Sequence, residues 1–269
     1  MNTILKKYIL IIPIVLSAIS FTSCEKEIEI DLRSVTPLVH IEGIVKQDQL
    51  ATVRVSKTLD FNDNSGYVFL KGAVVTISDD AGNSEILQQD ATGWYTAELL
   101  KGEVGHTYSM SVVYEGKEYT STSKMPPHVK LDSLTMYKVP VMEYAFPMLH
   151  FRDPKGWTNQ YYRALLFING KQHPEVNEFV LSAEFMDGDY YHQFLPVMIP
   201  NDDEDPIKKG DELTIEFQCI DNGAYKFFYT LSWIEESLVN PVSNITGGAL
   251  GYFSACTAEQ MSVIAEWED

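Results

Sequence analysis

Between residues 107 and 114 the chain alternates: Tyr108, Met110, Val112 and Tyr114 point one way, and Thr107, Ser109, Ser111 and Val113 the other. A period of two over eight residues predicts a half-buried strand. Glu115-Gly116 then turns the chain into a second strand over 117–123, a hairpin whose glycine suits a positive φ. Upstream, 38–45, 51–56, 73–78 and 94–97 read as short strands separated by turn signals such as Asp79-Asp80-Ala81-Gly82-Asn83. Six or seven strands at this spacing predict a β-sandwich over 37–125. Pro126-Pro127 closes it, because adjacent prolines cannot donate to a central ladder.

Beyond that boundary the pattern predicts a second β-rich domain, 126–269, with strands over 132–138, 148–152, 161–169, 179–185 and 213–220. One stretch departs from it. From 224 to 239, Phe227, Leu231, Ile234 and Leu238 recur at i, i+4, i+7 and i+11, placing four apolar side chains on one helical face. Asp221 or Asn222 can cap its start, and Asn240-Pro241 stops it. Aromatic residues on such a helix are core material, so Phe228, Tyr229 and Trp233 receive no functional role. The fold class expected is therefore mainly β, two sandwich-like domains, the second with a packed α-helix. The hydrophobic share of 45% is enough to bury a core in each, and no Gly/Ser or Pro tract suggests disorder.

The first 32 residues are of another kind. Lys6 and Lys7 precede a run from Tyr8 to Ser23 without a charge, the basic head and apolar core of a secretory signal, and short for a membrane-spanning helix. It ends in Phe21-Thr22-Ser23-Cys24, which resembles the site where a lipoprotein signal peptidase cuts before a diacylated cysteine. The expectation is a signal peptide over 1–23, lipid attachment at Cys24, and an acidic tether over 24–36. Acyl chains contribute about 0.8 kcal/mol per buried methylene, so such an anchor is stable and the remainder can be soluble. The tether, Glu25-Lys26-Glu27-Ile28-Glu29-Ile30-Asp31, resembles the acidic signal that directs Bacteroidota lipoproteins to the outer face of the outer membrane.

Cleavage removes two lysines and no acid, so the formal charge of −18 becomes −20. A surface of that sign disfavours nucleic acid and anionic lipid as partners. Two cysteines remain, Cys219 and Cys256. In an oxidising compartment they could pair; alternatively Cys219, on the alternating face of Leu213, Ile215 and Phe217, is a small buried hydrophobe. Sequence leaves both readings open.

Several stretches together carry a family resemblance: Cys24–Leu32, Leu38-Val-His-Ile-Glu-Gly43, Gly72-Ala-Val-Val-Thr-Ile-Ser-Asp79, Tyr114–Pro127 and Asn244-Ile-Thr-Gly-Gly-Ala-Leu-Gly-Tyr-Phe-Ser-Ala255. They resemble the Bacteroidota outer-membrane lipoproteins of domain-of-unknown-function family 4249. The resemblance implies a lipoprotein that accompanies a TonB-dependent outer-membrane transporter, and it implies no known activity. Residues 72–125 also resemble Ig-like or transthyretin-like sandwiches of envelope proteins.

The residues supply little chemistry to set beside this. There is no Gly-x-Ser-x-Gly elbow, P-loop or His-Glu-x-x-His, and no two of the six histidines lie three or four apart. Ser121-Thr-Ser-Lys124 matches Ser-x-x-Lys but falls in a strand. Two acidic loops, 60–66 and 201–205, have the oxygen content of a calcium loop; the first lacks the bidentate Glu, with Lys71 in its place, and solvated loops account for both. Gly247-Gly248-Ala249-Leu250-Gly251 lacks the strand and helix of a phosphate-binding turn. Its glycines let the chain turn into a closing strand, 252–255, or expose Gly247, Gly248, Tyr252 and Phe253 to a partner. Asp132-Ser133-Leu134 fits a short O-glycosylation pattern as well as a turn before a strand. Fifteen tyrosines, among them Tyr144, Tyr161, Tyr162, Tyr190 and Tyr191, read chiefly as cross-strand packing. The expectation is a non-enzymatic binding or accessory subunit of a transporter, without cofactor or metal, lipid-anchored at the cell surface. The alternative is a structural or adhesive lipoprotein making protein or glycan contacts.

Overall fold

The computed structural model describes residues 37–59, 68–138, 145–158, 160–173, 179–185, 187–195, 197, 207–237 and 239–268. The signal peptide, Cys24, the tether, both acidic loops, Tyr144 and Leu238 lie outside them. Strands are numbered along the chain. The largest sheet has ten, in the order β13 (Lys171–Gln172), β12 (Tyr161–Ile168), β16 (Glu212–Ile220), β17 (Leu250–Ile264), β1 (Val39–Lys46), β2 (Leu50–Lys57), β7 (Trp94–Lys101) and β6 (Gln88–Gln89). In addition, β14 (Val180–Ser182) pairs with β12 and β3 (Val68–Phe69) with β2. A second sheet runs β5 (Ser84–Ile86), β4 (Val74–Asp79), β8 (Thr107–Tyr114), β9 (Lys117–Lys124), and a third β10 (Leu131–Lys138), β11 (Ala145–Arg152), β15 (Tyr190–Phe194). The helices are α1 (Asn222–Leu231) and the single turn α2 (Ile234–Ser237).

β17 organises the whole. It pairs in parallel with β1 and antiparallel with β16, and so joins strands from both ends of the chain into one sheet. The parallel pairing is possible because residue 251 is glycine. Its φ is +99°, and a Cβ there would collide with the Ile41 carbonyl. Successive side chains of a strand point to opposite faces. The odd residues Phe253 and Ala255 enter the core between the large sheet and the second sheet, with Ile41, Val53, Val75, Tyr108 and Met125. Further along the same face, Met261, Val263 and Ala265 meet the core between the large sheet and the third, with Leu131, Phe151, Tyr162, Leu166 and Phe217. The two smaller sheets thus cover one face of the large sheet side by side.

Met125 belongs to the first core and Val129 to the second, so Pro126-Pro127 marks the passage between them. The division into 37–125 and 126–269 does not coincide with the cores, because Ile245, Ala249, Phe253 and Ala255 return to the first one, and the described residues fall in one compact unit. The predicted hairpin is β8–β9, with Glu115 and Gly116 both at positive φ (51° and 78°), the requirement of a turn matched to strand twist. Ser121-Thr-Ser-Lys124 lies within β9.

Several elements differ from the sequence pattern. The segment 179–185 keeps only the short β14, whereas 190–194, not predicted as a strand, forms β15. The closing strand is 15 residues long. The helix starts as expected, the Asp221 carboxylate accepting from the Ala224 N–H at 2.9 Å, but it breaks after Leu231. There the Thr230 hydroxyl donates to Lys226 O at 2.8 Å and accepts from the Val242 N–H at 2.8 Å, tying the returning chain to the last turn.

The disulfide reading is corrected. Cys219 and Cys256 are both free and buried. Cys219 sits directly opposite Thr257 in the β16–β17 ladder, so Cys256, one residue away, points through the other face of the sheet. Bonding them would need a one-residue register slip that turns every β17 side chain inside out.

Candidate functional site

The even face of β17 faces away from both small sheets. Among the described residues α1 and the segment after it cover it, α1 touching β12, β14 and β17. Between this roof and the sheet lies a cavity of about 730 Å³, within the range of small-ligand sites.

The floor is built by strand register. Trp94, Arg54, Glu42 and Tyr252 are cross-strand neighbours on β7, β2, β1 and β17. The Arg54 guanidinium bonds to the Glu42 carboxylate and lies over the Trp94 ring, 5.0 Å from its centroid. Toward β16, Lys46 Nζ donates to Glu216 at 2.5 Å, and Glu216 also accepts from Gln218 Nε2 at 2.6 Å and Gln260 Nε2 at 3.2 Å. Burial alone would raise the Glu216 pKa, but these donors outweigh it and hold the carboxyl below its ordinary value. Arg163 projects from the otherwise apolar β12, its guanidinium 3.6 Å from the Phe228 ring centroid and its Nη1 3.4 Å from Gln218 Oε1. Burial draws its pKa down, opposed by Tyr252, Cys256 and Glu216; the guanidinium nonetheless stays charged near neutrality. His40 closes one end, its pKa lowered chiefly by burial, so the imidazole is neutral at pH 7.

The roof is apolar: Phe227, Phe228 and Leu231 of α1 and Ile234 of α2. Phe227 and Phe228 hold the Tyr252 ring at 5.0 and 4.6 Å. Burial raises the Tyr252 phenol and the Cys256 thiol each to about 12, so neither ionises at neutral pH. What the site offers is a floor of mutually paired charges under an aromatic ceiling. Among the described residues no group of three or more His, Cys, Asp or Glu could hold a metal ion.

The residues singled out from sequence lie elsewhere, with one exception. Phe253 is fully buried in the first core and cannot meet a partner, which corrects that assignment. Tyr252 is also buried, yet it lines the cavity. Gly247 packs on β9, where an added Cβ would stand 2.6 Å from Glu118 O, and Thr246 N donates to Thr120 O at 2.8 Å. Gly248 is exposed, and a Cβ there would stand 3.9 Å from Lys117 Nζ. Tyr229 and Trp233, assigned to the core, are about half exposed. The cavity residues carry a local signal in the sequence: Arg163 interrupts the apolar run of β12, and Glu216 and Gln218 alternate with Ile215, Phe217 and Cys219 on β16.

A family model described as a domain of unknown function, DUF4249, matches residues 25–262. The chain belongs to the DUF4249 family. A comparison with the curated proteins gives no match. Within this DUF4249 chain the matched span contains every side chain that lines the cavity, from His40 on β1 to Tyr252 on β17.

Proposed function

We propose that this DUF4249 protein is a non-enzymatic binding lipoprotein of the cell envelope, an accessory subunit of a TonB-dependent outer-membrane transporter that holds a small amphipathic ligand between α1 and the large sheet. The observation that carries the binding role is the cavity of about 730 Å³ with a charged floor and an apolar roof. Lys46 and Arg54 are each paired with a carboxylate, which presents fixed dipoles that orient a ligand. The lipid anchor at Cys24 and the cell-surface location rest on the N-terminal sequence pattern, the Bacteroidota origin and the transporter partner on the family resemblance, and the Ig-like or transthyretin-like character of 37–125 on strand and turn pattern.

The test is a mild-detergent pull-down of C-terminally tagged protein from native outer membranes, with Cys24→Ala as the unanchored control and mass spectrometry of co-purifying proteins and small molecules. A stoichiometric transporter barrel is expected. Recovery of correctly lipidated protein with neither barrel nor small molecule would sink the reading. A second reading, adhesion through protein or glycan contacts, is favoured by the exposed Tyr229, Trp233, Val239 and Val242 beside the helix. It predicts that Trp233→Ala impairs attachment and leaves uptake intact.

A further inference from the structure

On the third sheet, away from the cavity, His150 of β11 and His192 of β15 are direct cross-strand partners. Their side chains share the face turned away from the second core, His150 half-buried and His192 exposed, while the intervening Leu149, Phe151 and Tyr191 fill that core. The two Nδ1 atoms converge to 2.7 Å, and the rings meet edge to face with centroids 4.9 Å apart. His150 Nε2 is held 2.7 Å from the Thr135 hydroxyl of β10.

We propose that His150 and His192 form a two-imidazole site for a borderline divalent first-row ion, Cu²⁺, Ni²⁺ or Zn²⁺. Neutral imidazole is the preferred protein ligand of these ions, whereas Mg²⁺ and Ca²⁺ require oxygen. Thr135 is what a ligating histidine needs behind it, a hydrogen-bond partner on the second ring nitrogen that fixes orientation and tautomer. With the His150 Nε2–H donating to Thr135, its Nδ1 carries the lone pair. In the metal-free protein that lone pair accepts from the His192 Nδ1–H. Metal binding moves the His192 proton to Nε2, which is exposed to water, and frees the second lone pair without changing the net charge of the rings. Metal–nitrogen bonds of about 2.0–2.1 Å at tetrahedral or square-planar angles require the two nitrogens to stand about 2.9–3.3 Å apart. The rings must therefore part by a few tenths of an ångström, and the exposed His192 has the room to swing. Burial and the neighbouring His192 both lower the His150 pKa, which keeps that ring neutral and ready to ligate at physiological pH. Water completes the coordination, since no third His, Cys, Asp or Glu joins the pair among the described residues.

The experiment is calorimetric titration of the full-length detergent-solubilised protein with NiCl₂, ZnCl₂ and MgCl₂ at about pH 7.5, where imidazole is neutral. It is repeated with His150→Asn, His192→Asn and, as a surface-histidine control, His106→Asn. One saturable Ni²⁺ or Zn²⁺ per chain is expected, with no Mg²⁺. Each of the first two variants should weaken it by about tenfold or more and the control should not. Affinity should fall as pH drops below about 6.5, because protons compete for the same lone pairs. Absence of saturable binding, or binding that survives both His150→Asn and His192→Asn in variants whose circular dichroism is native, overturns the proposal.

Discussion

The two faces of the ten-stranded sheet solve the same problem differently. On the odd face of β17 two further sheets close over Phe253, Ala255, Met261 and Val263, and the interior is mainly apolar, with Thr257 and the Asp153–Tyr162 pair among its few buried polar groups. On the even face the cover is a ten-residue helix and one further turn. Such a helix is about 15 Å long and about 10 Å across, while the eight strands in the sheet's path span about 34 Å at their usual spacing. The roof is too small for the floor, and the uncovered remainder is the cavity. That side carries Glu42, Lys46, Arg54, Arg163 and Glu216 where the opposite face carries mainly aliphatic and aromatic side chains. Under the proposed function, the difference assigns binding to the incompletely covered face and stability to the closed one.

Neighbouring residues of β17 test that division most severely. Phe253→Ala empties a fully buried site in the first core and should cost about 3–5 kcal/mol. Tyr252→Phe, one residue away on the cavity side, keeps the ring against Phe227 and Phe228 and loses only the hydroxyl. A cost of about 1–2 kcal/mol is expected. Urea unfolding of the two variants makes the comparison, and equal losses would show that the faces do not divide the work.

Lys46→Met sharpens it from the polar side. It leaves Glu216 buried with Gln218 and Gln260 as donors but no directly bonded cation, and the expected cost is about 1–3 kcal/mol, below that of breaking a wholly buried pair because Lys46 is one-fifth exposed and Arg163 stays nearby. Lys46→Met combined with Glu216→Leu makes this corner apolar like the opposite face. Stability should return to near that of the native protein, as when hydrophobic residues replace a buried pair. A double variant no more stable than Lys46→Met would mean that packing, not the orphaned carboxylate, set the cost.

Arg163→Met carries the same idea to binding. Methionine keeps an unbranched stem against Phe228 and removes the buried charge, so stability should change by no more than about 1–2 kcal/mol. Affinity for whatever small molecule co-purifies with the native protein should fall by about tenfold or more. Native mass spectrometry reads the bound fraction, and full retention of the ligand would remove the cavity from the functional account.

The sequence pattern located β1, β2, β4, β8, β9, β10, β12 and β16 within one or two residues and the cap at Asp221, because alternation and capping are local. What it missed is non-local. Nothing in the 252–255 pattern announces a 15-residue strand parallel to β1, since that pairing depends on Gly251 meeting a carbonyl some 200 positions earlier. The same register decided that Cys219 and Cys256 face opposite ways. The cavity was legible in part: Arg163, Glu216 and Gln218 are polar residues inside strands of buried type, the local sign of a wet face or a site. Which cation meets which carboxylate required the strand order.

The smallest effect separates two histidines by pH. His40, on the cavity face, has its pKa lowered chiefly by burial, so between its folded value and the ordinary 6.5 the unfolded chain binds more protons. Its contribution is fully present above about 6.5 and is lost as pH falls through the folded value. His106 lies on an exposed turn, where the bond to Asp80 at 2.6 Å raises its pKa. Its contribution is present below about 6.5 and is lost as pH rises through its folded value, and solvent screening keeps it small. Glu216, held below its ordinary value, adds a further loss below about pH 4.5. Urea midpoints between about pH 5 and 8 should therefore fall toward the acid side in the native protein and flatten in His40→Asn, whereas His106→Asn should steepen the fall. A profile unchanged by His40→Asn would mean that the imidazole reaches water when protonated, and that the even face is open at that end even without a ligand.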